Sequence, residues 1–320
     1  MYLPEFEVIE PKTIEEACIE LDRYKKHGVC ILAGGTDLLV DIRPKIIRQH
    51  LPRCPGCPTD GSIVREPKKA PQYVISITRI TGIQGIEIEG SWIKIGAMTR
   101  IRELCESEII RTHLSALYDG AYQLGSPLVR NRGTIGGNIA NARPAADTFV
   151  PSIALNGTLI TASINGRREI LLDSFARGPG LTILEPGELI THIKFPLYPG
   201  NTGSDYFKLA NRKALEIAIA GVASMVTLNK ELNRIESTRI CMGAVGPTPV
   251  LAKTAMDFLA GKSPVDDVIH EASRLAVKDA HPISDHRGGK QYRQIEVEVL
   301  TRRTLFKALE NIKDYKHRKN

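Results

Sequence analysis

Long apolar runs, clustered charge, catalytic metal motifs and aromatic residues are all scarce in this 320-residue chain. Each scarcity removes a class of function. The apolar runs fall far short of the roughly 18 residues of a membrane span. No Walker loop, no His-Glu-x-x-His helix and no Ser–His–Asp grouping in recognisable context is present, which argues against P-loop nucleotide hydrolysis, zinc proteolysis and triad chemistry. Six cysteines are too few for two iron–sulfur clusters of the 2Fe–2S type, which take about four each. The net charge of +7 is spread among acids; its densest clusters are Arg65-Glu-Pro-Lys-Lys69 and the tail 313–319. That is no basic stripe, and no nucleic-acid partner is expected. The start, Met1-Tyr-Leu-Pro-Glu-Phe-Glu7, lacks the charge and apolar core of a signal peptide. A cytoplasmic location is expected.

What the chain does have is glycine in two informative places. The longer stretch is Gly133-Thr-Ile-Gly-Gly-Asn-Ile-Ala-Asn-Ala-Arg-Pro-Ala145, running on to Asp147. Small residues, two amides (Asn138, Asn141) and one carboxylate leave a backbone free to lie close against a ligand. Exposed N–H groups there would suit an anion such as a pyrophosphate. A second stretch of the same character, Ala33-Gly-Gly-Thr-Asp-Leu38, follows the apolar run Val29-Cys-Ile-Leu32.

The surrounding pattern gives an α+β chain of two or three domains. Thr13-Ile-Glu-Glu16 reads as a capping box ahead of a helix. Residues 29–32 and 73–77 fit buried strands, with 38–42 helical between them, so the first glycine turn lies on a strand–turn–helix junction. Residues 86–95 alternate around Gly90-Ser91, and 158–164 and 168–172 flank Asn165-Gly166, a strong hairpin signal. Helical spacing runs over 101–110 and 114–124. Residues 176–180 and 197–204 are loops by composition, the second being the better domain boundary. Beyond it, 217–228 and 234–245 read as a strand hairpin, and 253–311 as mostly helix.

Taken together, Ala33–Leu38 and Thr134-Ile-Gly-Gly-Asn138 resemble the two flavin signatures of the FAD-carrying medium subunits of molybdenum hydroxylases, the family of aerobic carbon monoxide, xanthine and hydroxybenzoyl-CoA enzymes. Ile95-Gly-Ala-Met-Thr99, Glu185-Pro-Gly-Glu-Leu-Ile190, Lys208-Leu-Ala-Asn-Arg-Lys-Ala214 and Tyr292-Arg293 extend the resemblance over nearly the whole chain. It implies a two-part PCMH-type FAD-binding domain, a small α/β subdomain over 1–72 and a larger antiparallel-sheet subdomain over 73–198. A C-terminal α+β domain over 205–320 would follow, with a small antiparallel sheet and helices. It implies FAD held by Leu32, Ala33, Gly34, Gly35, Thr36, Asp37, Leu38, Ala97, Thr99, Thr134, Ile135, Gly136, Gly137, Asn138, Ala140, Asp147, Leu189, Ile190 and Lys208, with Asn138 and Asp147 on the adenosine or phosphate side and Lys208 near the flavin ring. It also implies partners: a large molybdopterin-binding subunit and a small 2Fe–2S subunit in a dimer of heterotrimers, and an external electron acceptor. Electrons would leave substrate at molybdenum, cross the clusters and reach FAD here. The alternatives are a self-sufficient flavin oxidase or reductase, or a flavin-free module.

One segment departs from the family. Leu51-Pro-Arg-Cys-Pro-Gly-Cys-Pro58 interrupts the connection after the first signature. Cys54 and Cys57 form the shape of one metal knuckle, half of a tetrahedral site. A disulfide or free-thiol loop, a metal or iron–sulfur site completed from elsewhere, and an inert loop all remain open.

Overall fold

The computed structural model describes residues 3–43, 70–212 and 214–317. The Cys54–Cys57 segment lies outside them.

The chain begins with a small parallel sheet. Strand β1 (Glu7–Ile9) leads to helix α1 (Ile14–Tyr24), strand β2 (Val29–Leu32), the single turn α2 (Leu38–Asp41) and strand β3 (Tyr73–Ser76). β3 is the middle strand, pairing with β1 and β2 in parallel through Glu7↔Tyr73 and Val29↔Tyr73. The small sheet therefore extends past residue 72, where the sequence reading ended it. Thr13 caps α1 by accepting from Glu16 N–H at 3.1 Å. The glutamate reaches back to Lys12 N–H at 2.7 Å, one residue short of a reciprocal capping box. Ala17 and Leu21 of α1 pack with Ile75, Ile77 and Leu189 in a minor core.

The larger part follows. It comprises β4 (Ile86–Glu89), β5 (Trp92–Gly96), α3 (Ile101–Glu106), α4 (Glu108–His113), α5 (Ser115–Gln123), α6 (Pro127–Arg130), α7 (Ile135–Ala140), α8 (Phe149–Ala154), β6 (Thr158–Ser163), β7 (Gly166–Leu171), β8 (Ala176–Gly178), β9 (Leu181–Thr182) and β10 (Leu189–Pro196). The sheet order β4-β5-β10-β6-β7 is antiparallel throughout. Both predicted hairpins form. The expected helix over 101–110 is two helices, because Ser107 leaves helical geometry and caps α4 by accepting from Ile110 N–H at 3.3 Å. Residues 176–178, expected as loop, pair with β9 in a tight hairpin.

The C-terminal part has a four-stranded antiparallel sheet, β11 (Thr202–Leu209), β12 (Ala220–Leu228), β13 (Ile235–Gly243) and β14 (Val250–Leu251), then α9 (Lys253–Leu259), α10 (Asp266–Ala276) and α11 (Lys290–His317). β11 starts at Thr202, inside the stretch read as loop. β12, Ala-Gly-Val-Ala-Ser-Met-Val-Thr-Leu, is almost wholly apolar because both of its faces are covered. Val222 and Val226 face α9–α11, while Ala223 and Met225 join the core of the larger part. Fully burying a Val or Met contributes about 1.5–3 kcal/mol, so this strand fastens the C-terminal sheet to the part before it. No helix among the described residues is long and apolar enough to cross a membrane.

Candidate functional site

A cleft of about 610 Å³ opens where the two glycine stretches meet, within the usual size range of a cofactor site. The first stretch leaves β2 at Leu32 and turns before α2. Gly35 holds φ +74°, a conformation that favours glycine. Gly34 is glycine for another reason: a Cβ there would lie 2.0 Å from the Arg132 carbonyl oxygen. The two stretches are thus in backbone contact. The amides of Gly34, Gly35 and Thr36 have no acceptor among the described residues. Three unpaired N–H groups on a cleft wall suit an anionic ligand.

The second stretch differs, and the expectation of exposed amides there is corrected. Ile135 N–H donates to Thr99 O (3.0 Å) and Gly136 N–H to Ala97 O (2.9 Å). Thr134 caps α7 by accepting from Gly137 N–H at 3.2 Å. Neighbouring backbone and the Thr134 side chain thus take up these amides. Gly136 is needed for packing, since a Cβ would come 2.6 Å from that of Ala97. At Gly137 a Cβ would meet only Thr134 Oγ1 (2.9 Å) and, at 4.0 Å, Ala33 Cβ. The space it would fill belongs to the cleft. Asn138 Oδ1 accepts from Thr148 Oγ1 (2.6 Å) and Thr148 N–H (3.3 Å). That fixes the side chain on the wall and leaves its Nδ2 without an acceptor among the described residues.

Asp147, at the end of this stretch, lines the cleft and is 7% exposed. Lys208 Nζ donates to its Oδ2 at 2.7 Å and the Tyr206 hydroxyl to its Oδ1 at 3.0 Å. Burial pushes the Asp147 carboxyl up, and Lys208 and Tyr206 oppose that shift. Burial beside Asp147 also drives the Tyr206 phenol well above its ordinary range. The Glu185–Ile190 motif has a local explanation. Glu188 folds back to accept from Glu185 N–H (2.9 Å), and Arg168 holds it with two 2.6 Å hydrogen bonds. Despite burial, these partners and Thr161 hold its carboxyl below the usual range. Leu189 and Ile190 are thereby set on the wall.

Of the residues singled out from sequence, the cleft wall collects Ala33, Gly34, Gly35, Thr36, Asp37, Leu38, Ala97, Thr134, Gly136, Gly137, Asn138, Ala140, Asp147, Leu189 and Ile190. It does not include Leu32, Thr99, Ile135 or Lys208. Ile135 is wholly buried in the core. Thr99 is buried with its hydroxyl engaged by the Gly85 backbone at 2.9 and 3.0 Å. The sequence reading missed Cys30, Asp41, Gly125, Arg143 and Leu215–Ile217, all on the wall. Arg143 faces Asp41 at 3.8 Å across the two stretches; its place within the second signature was the available signal. Leu215, with φ +56°, donates its N–H to Gly125 O at 3.3 Å. Nothing in its sequence context marks it. Among the described residues no group of three potential metal ligands comes together.

The free amides of the first stretch, the Gly137 notch and the cleft volume fit a bulky anionic dinucleotide. Comparison with known proteins agrees. The profile described as "FAD binding domain in molybdopterin dehydrogenase" matches residues 56–198, and "CO dehydrogenase flavoprotein C-terminal domain" matches residues 205–308. The carbon monoxide dehydrogenase medium chain of Hydrogenophaga pseudoflava is 32% identical over 305 residues, covering 95% of this chain and 97% of that one. The glyceraldehyde dehydrogenase medium chain of Sulfolobus acidocaldarius is 30% identical over 301 residues, covering 94% and 97%. A solved carbon monoxide dehydrogenase from Hydrogenophaga pseudoflava, lacking the Mo-pyranopterin moiety of its cofactor, superposes with a TM-score of 0.85 at 31% identity, covering 97% of this chain and 99% of that one. With matches of this extent over both halves, the chain belongs to the FAD-binding medium-subunit family of the molybdenum hydroxylases.

Proposed function

We propose that this chain is the FAD-binding electron-transfer subunit of a molybdenum- and iron–sulfur-containing dehydrogenase complex. The observation that carries the reading is the cleft in which the two glycine stretches abut, one with amides that have no acceptor among the described residues and the other with a side-chain-free notch. Bound there, FAD would supply the redox chemistry, taking up electrons from the complex and releasing them to an external acceptor. The protein's part is to bind and orient. The Gly34–Thr36 amides would meet the pyrophosphate, Asn138 Nδ2 and the Asp147 region would fix polar groups beside it, and Ala97, Leu189 and Ile190 would exclude water from the apolar wall.

The partners in this reading are a large molybdopterin-binding chain and a small 2Fe–2S chain, assembled as a dimer of heterotrimers in the cytoplasm. Residues 1–72 and 73–198 would divide the flavin-binding part and 205–320 form the C-terminal domain, with the first boundary moved to include β3. Leu32, Thr99, Ile135 and Lys208 would act from behind the wall. Cys54 and Cys57 are open to a metal or cluster formed only in the assembled complex.

No histidine or cysteine stands in the second stretch for covalent attachment, so the flavin should be held noncovalently. Acid precipitation of the purified complex should release about one FAD per chain into the supernatant. Colourless protein co-purifying with the same partners would contradict the reading, and colour kept on the precipitate would contradict noncovalent binding.

A further inference from the structure

A helix of the larger part covers the free edge of the C-terminal sheet. Among the described residues β11 pairs only with β12, so its other side presents backbone groups that need partners. Helix α5 lies along that side. Three of its residues, spaced four apart and so on one face, supply the partners. Ser115 Oγ donates to Ser204 O at 2.6 Å and Gln123 Nε2 donates to Tyr206 O at 3.4 Å, and between them the Asp119 carboxyl lies beside the Tyr206 N–H, which favours its charged form. Asn311 of α11 donates to Ser204 O at 2.8 Å.

Asp205 sits in the same seam. It is 5% exposed, its Oδ2 has no hydrogen-bond partner among the described residues, and the Asp119 carboxyl stands beside it, close enough to raise its pKa. A hydrogen bond between two carboxyl groups requires a proton on one of them. The charged groups facing the pair offer little compensation. From α11, Lys307 and Glu310 pair with each other at 2.7 Å in partly exposed positions. On β11 itself, Lys208 and the Tyr206 hydroxyl are committed to Asp147. β12 places Ser224 opposite Asp205, bonded at 2.7 Å to Thr304 of α11. Burial, with Asp119 beside it, pushes Asp205 up to about 8; burial pushes Asp119 up to about 6.

We propose that Asp119 and Asp205 share one proton and act as positioning residues: the proton clamps α5 to the edge of β11, and β11 holds Lys208 against Asp147 at the cleft wall. The sign of the pH dependence follows. The closed seam keeps a proton that exposed carboxyls would release, so the clamp is strongest at and below the ordinary carboxylate range. It weakens as pH rises and levels off above about 8; between about pH 6 and about pH 8, where the closed pair holds one proton and exposed carboxyls none, the closing equilibrium falls roughly tenfold per pH unit.

The test uses the full chain without flavin, so its failure would leave the FAD reading of the cleft standing. Amide hydrogen exchange at Tyr206, corrected for intrinsic rates, should show protection falling roughly tenfold per unit from about pH 6 to about pH 8. Asp205→Asn and, independently, Asp119→Asn should flatten that slope. Infrared difference spectra of the unaltered chain should show a protonated-carboxyl band near neutral pH that is lost above about pH 9. This spectrum needs no variant to fold. Absence of that band at neutral pH, or an unchanged slope in a folded variant, would overturn the proposal.

Discussion

The two glycine stretches look alike in sequence and do different work in the structure. In the first, the amides of Gly34, Gly35 and Thr36 have no acceptor among the described residues, although Gly34 lies against the Arg132 carbonyl. The second has its amides taken up by Ala97, Thr99 and the Thr134 side chain. Its glycines serve close packing at Gly136 and open space at Gly137. A run of small residues is therefore compatible with an anion cradle, a packing contact or a ligand notch, and only the partners of each backbone group separate them.

The largest expected effect bears on how the second stretch ends. Lys208→Met strips Asp147 of its ion-pair partner in a nearly dry site, where breaking a buried pair costs about 3–5 kcal/mol. The Asp147 carboxyl is already raised by burial, and without Lys208 it rises further. Since the folded-state value exceeds the unfolded one, the variant should be least impaired at acid pH and lose stability as pH rises through the raised value. Urea unfolding at several pH values checks this; a loss independent of pH would place the lysine's role elsewhere. Because Lys208 is tied to Asp147 behind the wall, the variant should affect folding more than flavin potential.

Gly34→Val comes next. Its Cβ would collide with the Arg132 carbonyl, a backbone atom that cannot swing aside. Overpacking of that kind costs about 1–3 kcal/mol, and the two stretches should separate, with loss of both stability and flavin. A stable, yellow variant would disprove their backbone contact. Thr134→Ala should cost about 1 kcal/mol as a lost helix cap, measured by the shift of the urea midpoint, with a much smaller loss of flavin than in Gly34→Val because it adds no atoms to the cleft wall. A loss of flavin as complete as in Gly34→Val would erase the distinction between the stretches.

Much of this architecture could be read from the sequence where the signal was local. Asn165-Gly166 fixed a hairpin by turn chemistry, and the Val29–Leu32 run followed by Gly34-Gly35 located a strand and its turn. What escaped was set by distant partners. β10 is a middle strand of the larger sheet, yet its first residues read only as part of a motif, since Glu188's role depends on Arg168 in another strand. β11 starts inside a Pro- and Gly-rich stretch because β12 pairs with it from Thr202 onward. The Asp147–Lys208 pair joins residues 61 positions apart, and no local pattern encodes such a contact. Leu215–Ile217 reach the cleft through a loop whose apolar residues would pass for ordinary surface.

The central claim is that the space beside Gly137 is where the cofactor backbone lies, and Gly137→Val tests it most directly. Among the described residues a Cβ there meets only side-chain atoms, Thr134 Oγ1 at 2.9 Å and Ala33 Cβ at 4.0 Å, so the fold should survive at a cost comparable to displacing the Thr134 cap, about 1 kcal/mol. FAD titration and urea unfolding, run side by side on the variant and the unaltered protein, should show a Kd weakened by at least about tenfold, or roughly 1.4 kcal/mol, with an unfolding midpoint lowered no further than in Thr134→Ala. A variant that keeps full flavin content and an unchanged Kd would contradict the account.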